Sequence, residues 1–418
     1  MRNAGVDELA RAVEALGGAG DVDDQPSGWP RVVASGNAGV PLTTMAVVDG
    51  ALPRYRLNVL NAPHGIPARE GVVHETSFVG VGMRRSPALA YVPSRLSMVP
   101  ELWATMLPPA LVVLHTTPPR AGRVSLGVEV NVLPAAVEQV RARGGLVVAQ
   151  VNPRMPYTYG DGELDVELID LALEVDDPLP GHAPAALDES ALLIGERVAT
   201  RVPDGATLQA GIGAVPDAAL AGLVRRRDLR VWTEMFSDGV LGLERAGALD
   251  PSYPLTASFL FGTEELYRWV DGNERVVLRR TEIANDPAVI ARQRAMTSIN
   301  TALQVDLFGQ VNASRVGERI HSGFGGATDF LVGALHSDGG QALVALRSWH
   351  PRADVSTIIP LLEQPATSFQ PTAVVTEHGV APVWGHDERE QARGLIELAA
   401  HPRVRDELRE EAHYLGLA

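Results

Sequence analysis

GIGAVPD, residues 211–217, is the stretch that decides how this chain is interpreted. It lies between an apolar segment typical of a strand and an apolar segment typical of a helix. Its glycines allow a ligand to approach the backbone, and the free N–H groups of a following helix attract negative charge. We therefore expect a strand, a tight turn and a helix start that together bind an anion.

This turn also resembles a dinucleotide-binding fingerprint, which requires a third glycine and an acidic residue at the end of a second strand. The chain has Pro216 in place of that glycine, and no acidic residue at the right distance clearly ends such a strand. A nicotinamide- or nucleotide-binding protein without covalent chemistry is therefore kept as an alternative from a different class.

The composition narrows the class of protein. At 418 residues the chain exceeds what one compact core usually serves, so two domains are expected. The net charge of −15 argues against a nucleic-acid surface. The absence of cysteine excludes disulfides, thiolate zinc sites and a cysteine nucleophile, and the 11 histidines lack the paired helical spacing of a zinc site. With no signal-like start and no apolar run near the ~18 residues of a membrane span, we expect a soluble cytoplasmic protein.

Strands and helices alternate along the chain. Residues 111–150 and 207–233 each predict a strand, a helix and a second strand, and in the second unit the helix is expected over residues 216–226. Continuous apolar strands indicate an α/β fold with a parallel sheet covered on both faces.

A proline-rich segment without periodicity, DDPLPGHAP at residues 176–184, interrupts this alternation. We place the domain boundary there, which gives an N-terminal α/β domain over residues 1–183 and a C-terminal α/β domain over residues 184–418.

Glu234 follows the strand next to the glycine turn. An isolated glutamate at a strand end is most often solvated or paired, but ligands of open parallel sheets collect beyond the carboxyl ends of the strands. Ser237 or Asp238 is expected to cap the next helix, and Gly247 to end it.

The carboxylate of Glu234 has no histidine, cysteine or lysine motif nearby, so the role that suits it is nucleophile. With an ordinary pKa of about 4.3 it is expected to be almost wholly ionised at neutral pH and to need no general base. A thioester has an activated carbonyl and a good leaving thiolate, so acyl transfer to a carboxylate is feasible. Such a reaction requires backbone donors for the oxyanion.

A second glycine cluster, SGFGGATDF at residues 322–330, is a candidate source of those donors because it allows N–H groups to converge. A plain β-turn or bulge is the structural alternative. Glu282 is a second candidate nucleophile, but it follows two arginines and is expected to pair with them. The pair Glu377-His378 is interpreted as a structural turn or pocket wall.

Together these residues resemble the acetyl-CoA hydrolase/transferase family of class I coenzyme A transferases. The resemblance extends from about Ser125 to His401 in family order, and the joint occurrence of its motifs makes it specific. The matching runs are residues 125–128, 149–156, 209–217, 233–239, 285–287, 299–300, 305–312, 323–330 and 375–381.

The resemblance implies two similar open α/β domains with mainly parallel sheets and the active site in the cleft between them. It implies that Glu234 is the catalytic glutamate, which forms a glutamyl-CoA thioester, and that Ile212 and Gly326 offer oxyanion N–H groups. The residues that it places at coenzyme A are Gly211, Ile212, Gly213, Ala214, Val215, Asn300, Gly325 and Gly326.

The implied activity is that of an acyl-CoA:carboxylate CoA-transferase, acting on acetyl-CoA or a short-chain or hydroxy acyl-CoA by ping-pong chemistry. Hydrolysis on the same scaffold is the nearest alternative. We expect coenzyme A as a substrate, no tightly bound cofactor, no metal, no nucleic-acid or membrane partner, and a homo-oligomer such as a dimer.

The chain departs from the family at one basic position. Where many relatives have a lysine after the serine of a Ser-Thr-Ala-Lys run, this chain has SWHPR at residues 348–352. A basic contact with the CoA phosphates is therefore either lost or moved to Arg352.

Overall fold

The computed structural model describes residues 1–17, 28–182, 186–211, 213–366 and 370–418. The chain divides into two compact units. Unit 1 comprises Met1–His182, Thr256–Ile283 and His321–Gly325, and unit 2 comprises Ala183–Leu255, Ala284–Ile320 and Gly326–Ala418. The sequence predicts a single division at residue 183. That division assigns two segments of unit 1, Thr256–Ile283 and His321–Gly325, to the predicted C-terminal domain. The two-domain division by sequence stays a prediction.

Unit 1 is built on an eight-stranded sheet in which every neighbouring pair is parallel. All six residues of Leu111–Thr116 are buried, as expected of a strand covered on both faces. The strands, in spatial order, are Arg2–Asn3, Leu171–Glu174, Leu146–Val151, Leu111–Thr116, Arg31–Ala34, Tyr55–Asn58, Val72–Thr76 and Leu89–Tyr91.

Helices and short strands complete unit 1. Its α-helices include Val6–Gly17, Leu42–Ala51, Val99–Thr105, Leu133–Ala142 and Glu264–Val270, and its 3-10 turns include Asn37–Gly39, Leu96–Met98 and Val166–Leu168. Arg123–Ser125 pairs antiparallel with Glu163–Asp165, and Tyr159–Gly160 pairs parallel with Val276–Leu278.

Unit 2 contains a mainly parallel run of strands. In spatial order they are Val380–Pro382, Ala373–Val375, Gln341–Ala345, Thr297–Asn300, Thr207–Ala210 and Arg230–Trp232. The first two strands pair with each other in antiparallel fashion, and the remaining four pairings along the sheet are parallel. The predicted α/β fold with mainly parallel sheets is confirmed.

The α-helices of unit 2 include Glu189–Arg201, Ala214–Gly222, Asp238–Arg245, Pro287–Ile290, Ala327–His336, Glu388–Gly394 and Arg405–Tyr414. Leu395–Ala399 continues the sixth as a π-helix, and Pro402–Val404 is a 3-10 turn. The short strand Gln304–Asp306 lies between Val311–Asn312 and Ile358–Ile359, and Trp349–His350 forms a hairpin with Val355–Ser356.

The helix after the glycine turn begins at Ala214 and ends at Gly222, whereas the sequence predicts residues 216–226. Gly213 caps it with φ +117°, a backbone conformation that side chains rarely adopt, so the helix begins directly after this glycine. Pro216 is accommodated because the first helical turn needs no N–H donor. A Cβ atom on Gly222 would meet the carbonyl of Gly195 at 2.8 Å, so this helix packs with its backbone close to Glu189–Arg201.

The structural description includes no helix that is both long and apolar enough to cross a membrane.

Candidate active site

Glu234 lies at the carboxyl end of the strand Arg230–Trp232, which pairs in parallel with Thr207–Ala210. The glycine turn follows Thr207–Ala210, so the glutamate and the turn come from the same edge of the sheet in unit 2, as predicted. Glu234 is partly buried. Ser237 occupies the N-cap position of the helix that follows, Asp238–Arg245, although its side chain makes no capping hydrogen bond there. Gly247, with φ +68°, follows the end of this helix, as the sequence predicts.

The carboxylate of Glu234 is held by the amide of Asn285. Nδ2 of Asn285 donates a hydrogen bond of 2.8 Å to Oε2 of Glu234, and Asn285 is fully buried. The side chain comes from the segment just before the short helix Pro287–Ile290. The sequence identified residues 285–287 as a matching run but assigned Asn285 no role. Its separation of 51 residues from Glu234 means that no local pattern connects the two.

Gly326 closes the other side of the carboxylate. Its backbone N–H donates to Glu234, and it caps the helix Ala327–His336. A Cβ atom at this position would overlap both Oε2 of Glu234 and Nδ2 of Asn285. The absence of a side chain is therefore required by the packing. In this arrangement the N–H group is directed to the carboxylate, and its role as an oxyanion donor stays a prediction.

Burial and, to a smaller extent, the negative charge of Asp329 raise the pKa of Glu234 from its usual 4.5 to about 7. The hydrogen bonds from Asn285 and Gly326 oppose this shift. The expectation that Glu234 is almost wholly ionised at neutral pH is therefore wrong. The sequence could not reveal the desolvation or the second carboxylate, because both arise from tertiary packing.

The glycine turn lines a cavity of about 370 Å³ in unit 2. Gly213, Ala214 and Val215 contribute to its wall, and Ile212 lies outside the described residues. Trp349 and Arg352 line the same cavity, which brings the departure SWHPR next to the predicted anion-binding turn. Arg352 is exposed, whereas Arg347 forms an ion pair with Asp188.

Two other residues predicted to bind coenzyme A have their polar groups engaged within the protein. Nδ2 of Asn300 donates to Oε1 of Gln209 at 3.0 Å and to Oγ of Ser298 at 2.7 Å. In unit 1, the carbonyl of Gly325 accepts a hydrogen bond of 3.0 Å from the N–H of Leu96. Gly325 has φ +55°, which explains a glycine there. The role of both residues in coenzyme A binding stays a prediction.

Glu282, the second candidate nucleophile, forms an ion pair with an arginine, as expected. Oε1 of Glu282 accepts hydrogen bonds of 2.9 and 2.6 Å from the guanidinium of Arg280, which also donates two hydrogen bonds to Glu138. The other arginine, Arg279, pairs with Asp161 instead. A carboxylate in such an ion pair is a weaker nucleophile than one that faces only neutral donors and another acid.

Glu377 and His378 lie in the turn between the antiparallel strands Ala373–Val375 and Val380–Pro382, so their interpretation as a structural turn is confirmed. The carboxylate of Glu377 accepts from the N–H and the hydroxyl of Ser348 at 2.9 and 2.5 Å. This acid fixes the start of the SWHPR segment.

Comparison with known proteins gives one consistent result. A sequence profile of the acetyl-CoA hydrolase/transferase C-terminal domain matches residues 262–412. A 4-hydroxybutyrate coenzyme A transferase of Clostridium kluyveri is 38% identical over 353 residues, which cover 81% of each chain.

Solved structures agree with this. RipA of Yersinia pestis superposes with a TM-score of 0.89 and 25% identity over 99% of this chain and 100% of its own. A 4-hydroxybutyrate CoA-transferase of Porphyromonas gingivalis gives a TM-score of 0.77 and 29% identity over 97% of each chain. The chain therefore belongs to the acetyl-CoA hydrolase/transferase family of enzymes.

Proposed function

We propose that this protein is an acyl-CoA:carboxylate CoA-transferase in which Glu234 is the nucleophile. The observation that carries the proposal is the carboxylate of Glu234, held by Asn285 and by the N–H of Gly326 at the carboxyl edge of a parallel sheet. These two neutral hydrogen-bond donors orient the carboxylate and leave its negative charge without a positively charged partner among them. Burial makes the carboxylate more basic than that of an ordinary glutamate.

The reaction begins when an oxygen of ionised Glu234 attacks the thioester carbonyl carbon of the acyl-CoA. A carbon–oxygen bond forms, the carbon–sulfur bond breaks, and the CoA thiolate departs with the electron pair, which leaves an acyl-glutamyl anhydride. The thiolate then attacks the glutamyl carbonyl and expels the acyl group as its carboxylate. The product is a glutamyl-CoA thioester.

The second half of the cycle reverses these steps with a different acid. The carboxylate of the acceptor attacks the glutamyl thioester, the thiolate departs, and the thiolate then attacks the acceptor carbonyl of the new anhydride. Glu234 is released as a carboxylate and a new acyl-CoA leaves. No proton needs to be transferred in either half, so the reaction needs no general base.

The cavity of about 370 Å³ is the proposed site of coenzyme A. Backbone N–H groups at the start of the helix Ala214–Gly222 suit its phosphates, with Gly211, Ile212, Gly213, Ala214 and Val215 in the predicted contact loop. Arg352 supplies a positive charge on the same wall, and Trp349 supplies an aromatic face on which an adenine ring can stack. We infer that Arg352 takes over from the lysine of relatives.

Two alternatives are distinguished by their products. Water attacking the same intermediates gives hydrolysis, and the family includes hydrolases by its description. A nucleotide-binding protein without covalent chemistry forms no intermediate. The relative from Clostridium kluyveri is named for 4-hydroxybutyrate, which favours a short hydroxy acyl-CoA as one substrate. A cytoplasmic location, a homodimer and the absence of a tightly bound cofactor stay predictions.

The test is an exchange assay. The protein is incubated with acetyl-CoA and, one at a time, with short carboxylic and hydroxycarboxylic acids, and the new thioester and free CoA are separated by chromatography. A transferase forms the new thioester and releases little free CoA without an acceptor. Release of free CoA at full rate without an acceptor identifies a hydrolase. If neither a new thioester nor free CoA is formed, the result supports the non-covalent alternative.

A further inference from the structure

Trp232 ends the strand that leads to Glu234, and it contacts the segment that carries Asn285. Its indole Nε1–H donates a hydrogen bond of 3.0 Å to the carbonyl oxygen of Ala284, which lies 52 positions further along the chain. Ala284 is fully buried, and a buried carbonyl oxygen needs a donor within the protein. The indole N–H supplies such a donor.

This hydrogen bond acts on the backbone directly before the Asn285 side chain. The carbonyl of Ala284 and the N–H of Asn285 belong to one planar peptide group, so a bond that fixes the carbonyl also orients the start of Asn285. The fully buried side chain of Asn285 then donates from Nδ2 to Oε2 of Glu234 at 2.8 Å. Two hydrogen bonds therefore join the same two segments, one at Trp232 and one at Glu234.

Packing holds the ring of Trp232 in place independently of its hydrogen bond. The side chain is partly buried and packs against a small apolar cluster of unit 2, which consists of Ile290, Met296, Phe330 and Ala334. A side chain that packing has already ordered loses little further rotational freedom when its hydrogen bond forms. The indole N–H is therefore presented to Ala284 from a fixed position.

We propose that Trp232 is a positioning residue that holds the amide of Asn285 in place and thereby orients the nucleophile Glu234. This proposal rests on the proposed function, because it takes Glu234 as the nucleophile. Without the indole N–H, the peptide group between Ala284 and Asn285 can reorient, and the amide moves away from the carboxylate. The described residues that line the cavity of about 370 Å³ do not include Trp232, so the binding of acyl-CoA should be unaffected.

The first experiment observes Asn285 without using activity. Asparagine side-chain amides are isotope-labelled, their exchange in deuterated water is followed by NMR, and the signal of Asn285 is identified by its loss in Asn285→Ser. Two replacements of Trp232 remove the donor. Benzothienylalanine at position 232 keeps the shape of the indole and has sulfur in place of the N–H group, and Trp232→Phe keeps a smaller aromatic ring.

Each replacement should speed exchange of the Asn285 amide by about fivefold, the equivalent of one neutral hydrogen bond. The matched control is the amide of Asn312, another buried asparagine of unit 2, whose Nδ2 donates to the carbonyl of Arg315 at 2.9 Å. Its exchange should stay unchanged, whereas a general loosening of the fold would speed both amides.

The second experiment is a double-mutant cycle on transfer. In the wild-type background, loss of the indole N–H should lower kcat by roughly five- to 20-fold and leave KM for acyl-CoA within about twofold. In Asn285→Ser the same loss should change kcat by less than about twofold, because the side chain through which Trp232 acts is already absent. An effect through the apolar cluster would instead persist in Asn285→Ser.

Thermal unfolding identifies the folded variants, and either replacement of Trp232 is sufficient for both experiments. Three results would each overturn the proposal for Trp232: unchanged exchange of the Asn285 amide, an equal loss of kcat in both backgrounds, or a rise in KM in place of a fall in kcat. Absence of transfer by the wild-type protein overturns the proposed function, whatever the exchange rates show. The two failures are therefore distinguishable.

Discussion

Nδ2 of Asn285 lies 2.8 Å from Oε2 of Glu234 and donates to it, although the two residues are 51 positions apart. The hydrogen bond favours the ionised form of Glu234 and fixes one of its oxygens. The hydrogen bond between Asn285 and Glu234 therefore orients the carboxylate and influences the pH at which it ionises.

Replacing Asn285 tests that relationship. If ionised Glu234 is the nucleophile, as proposed, the rate of transfer should rise with pH through a midpoint of about 7 in the wild-type protein. In Asn285→Ser the midpoint should move to higher pH, since a donor to the ionised form is lost, and the maximal rate should fall roughly 10- to 100-fold. Steady-state rates between pH 5 and 9 give both quantities. An unchanged profile would show that Asn285 does not act on the nucleophile.

Glu234→Gln should stabilise the folded protein at alkaline pH. Glu234 has a pKa raised from 4.5 to about 7 in the folded state, so the folded chain binds more protons between these values and loses stability as the pH rises. Glutamine removes this penalty, which we expect to be on the order of 3 kcal/mol at pH 8 and to vanish near pH 4. Denaturant unfolding of both proteins at several pH values provides the comparison. A variant that is less stable at pH 8 contradicts the raised pKa.

Gly326→Ala should abolish most activity through a single methyl group. The Cβ atom would overlap the carboxylate of Glu234 and the amide of Asn285, so the nucleophile must move. We expect kcat to fall by at least about 100-fold, because misplacement by about 1 Å is that costly. Gly242→Ala is the matched control. It lies in the helix Asp238–Arg245 with no atom within 4 Å of the added Cβ, and it should leave kcat unchanged. Equal effects of the two substitutions would refute the argument.

Arg352→Ala tests the position of the coenzyme in the cavity. If Arg352 binds a phosphate of coenzyme A, KM for acyl-CoA should rise by roughly tenfold, in keeping with a charge-assisted contact. KM for an acyl-pantetheine, which lacks the phosphorylated adenosine part, should stay the same. Arg389→Ala, at an exposed helical arginine of the same unit, is the control. A rise in KM for both substrates places Arg352 near the acyl end instead.

The sequence predicted those features that depend on local pattern. The apolar strands, the glycine turn and the strand end at Glu234 are each encoded within a few neighbouring residues, and the structure confirms them. The helix after the turn begins earlier than predicted because Gly213, with φ +117°, starts it. This reason lies in backbone geometry rather than in periodicity.

The environment of the nucleophile could not be predicted in the same way. Asn285 and Asp329 are brought to Glu234 by separate segments of unit 2, and no spacing in the sequence marks them as its neighbours. The pKa of Glu234 depends on burial as well as on these two side chains. The ordinary value for glutamate was therefore a poor guide to the pKa of Glu234, whose role as the nucleophile stays a prediction.

The most direct test of the account is to find the covalent intermediate. The wild-type protein and Glu234→Gln are mixed with acetyl-CoA, treated with borohydride to reduce a glutamyl thioester, digested and analysed by mass spectrometry. The account predicts a reduced glutamate at Glu234 in the wild-type protein and no modification anywhere in Glu234→Gln. A modification at Glu282, or transfer by Glu234→Gln within tenfold of the wild-type rate, would contradict it.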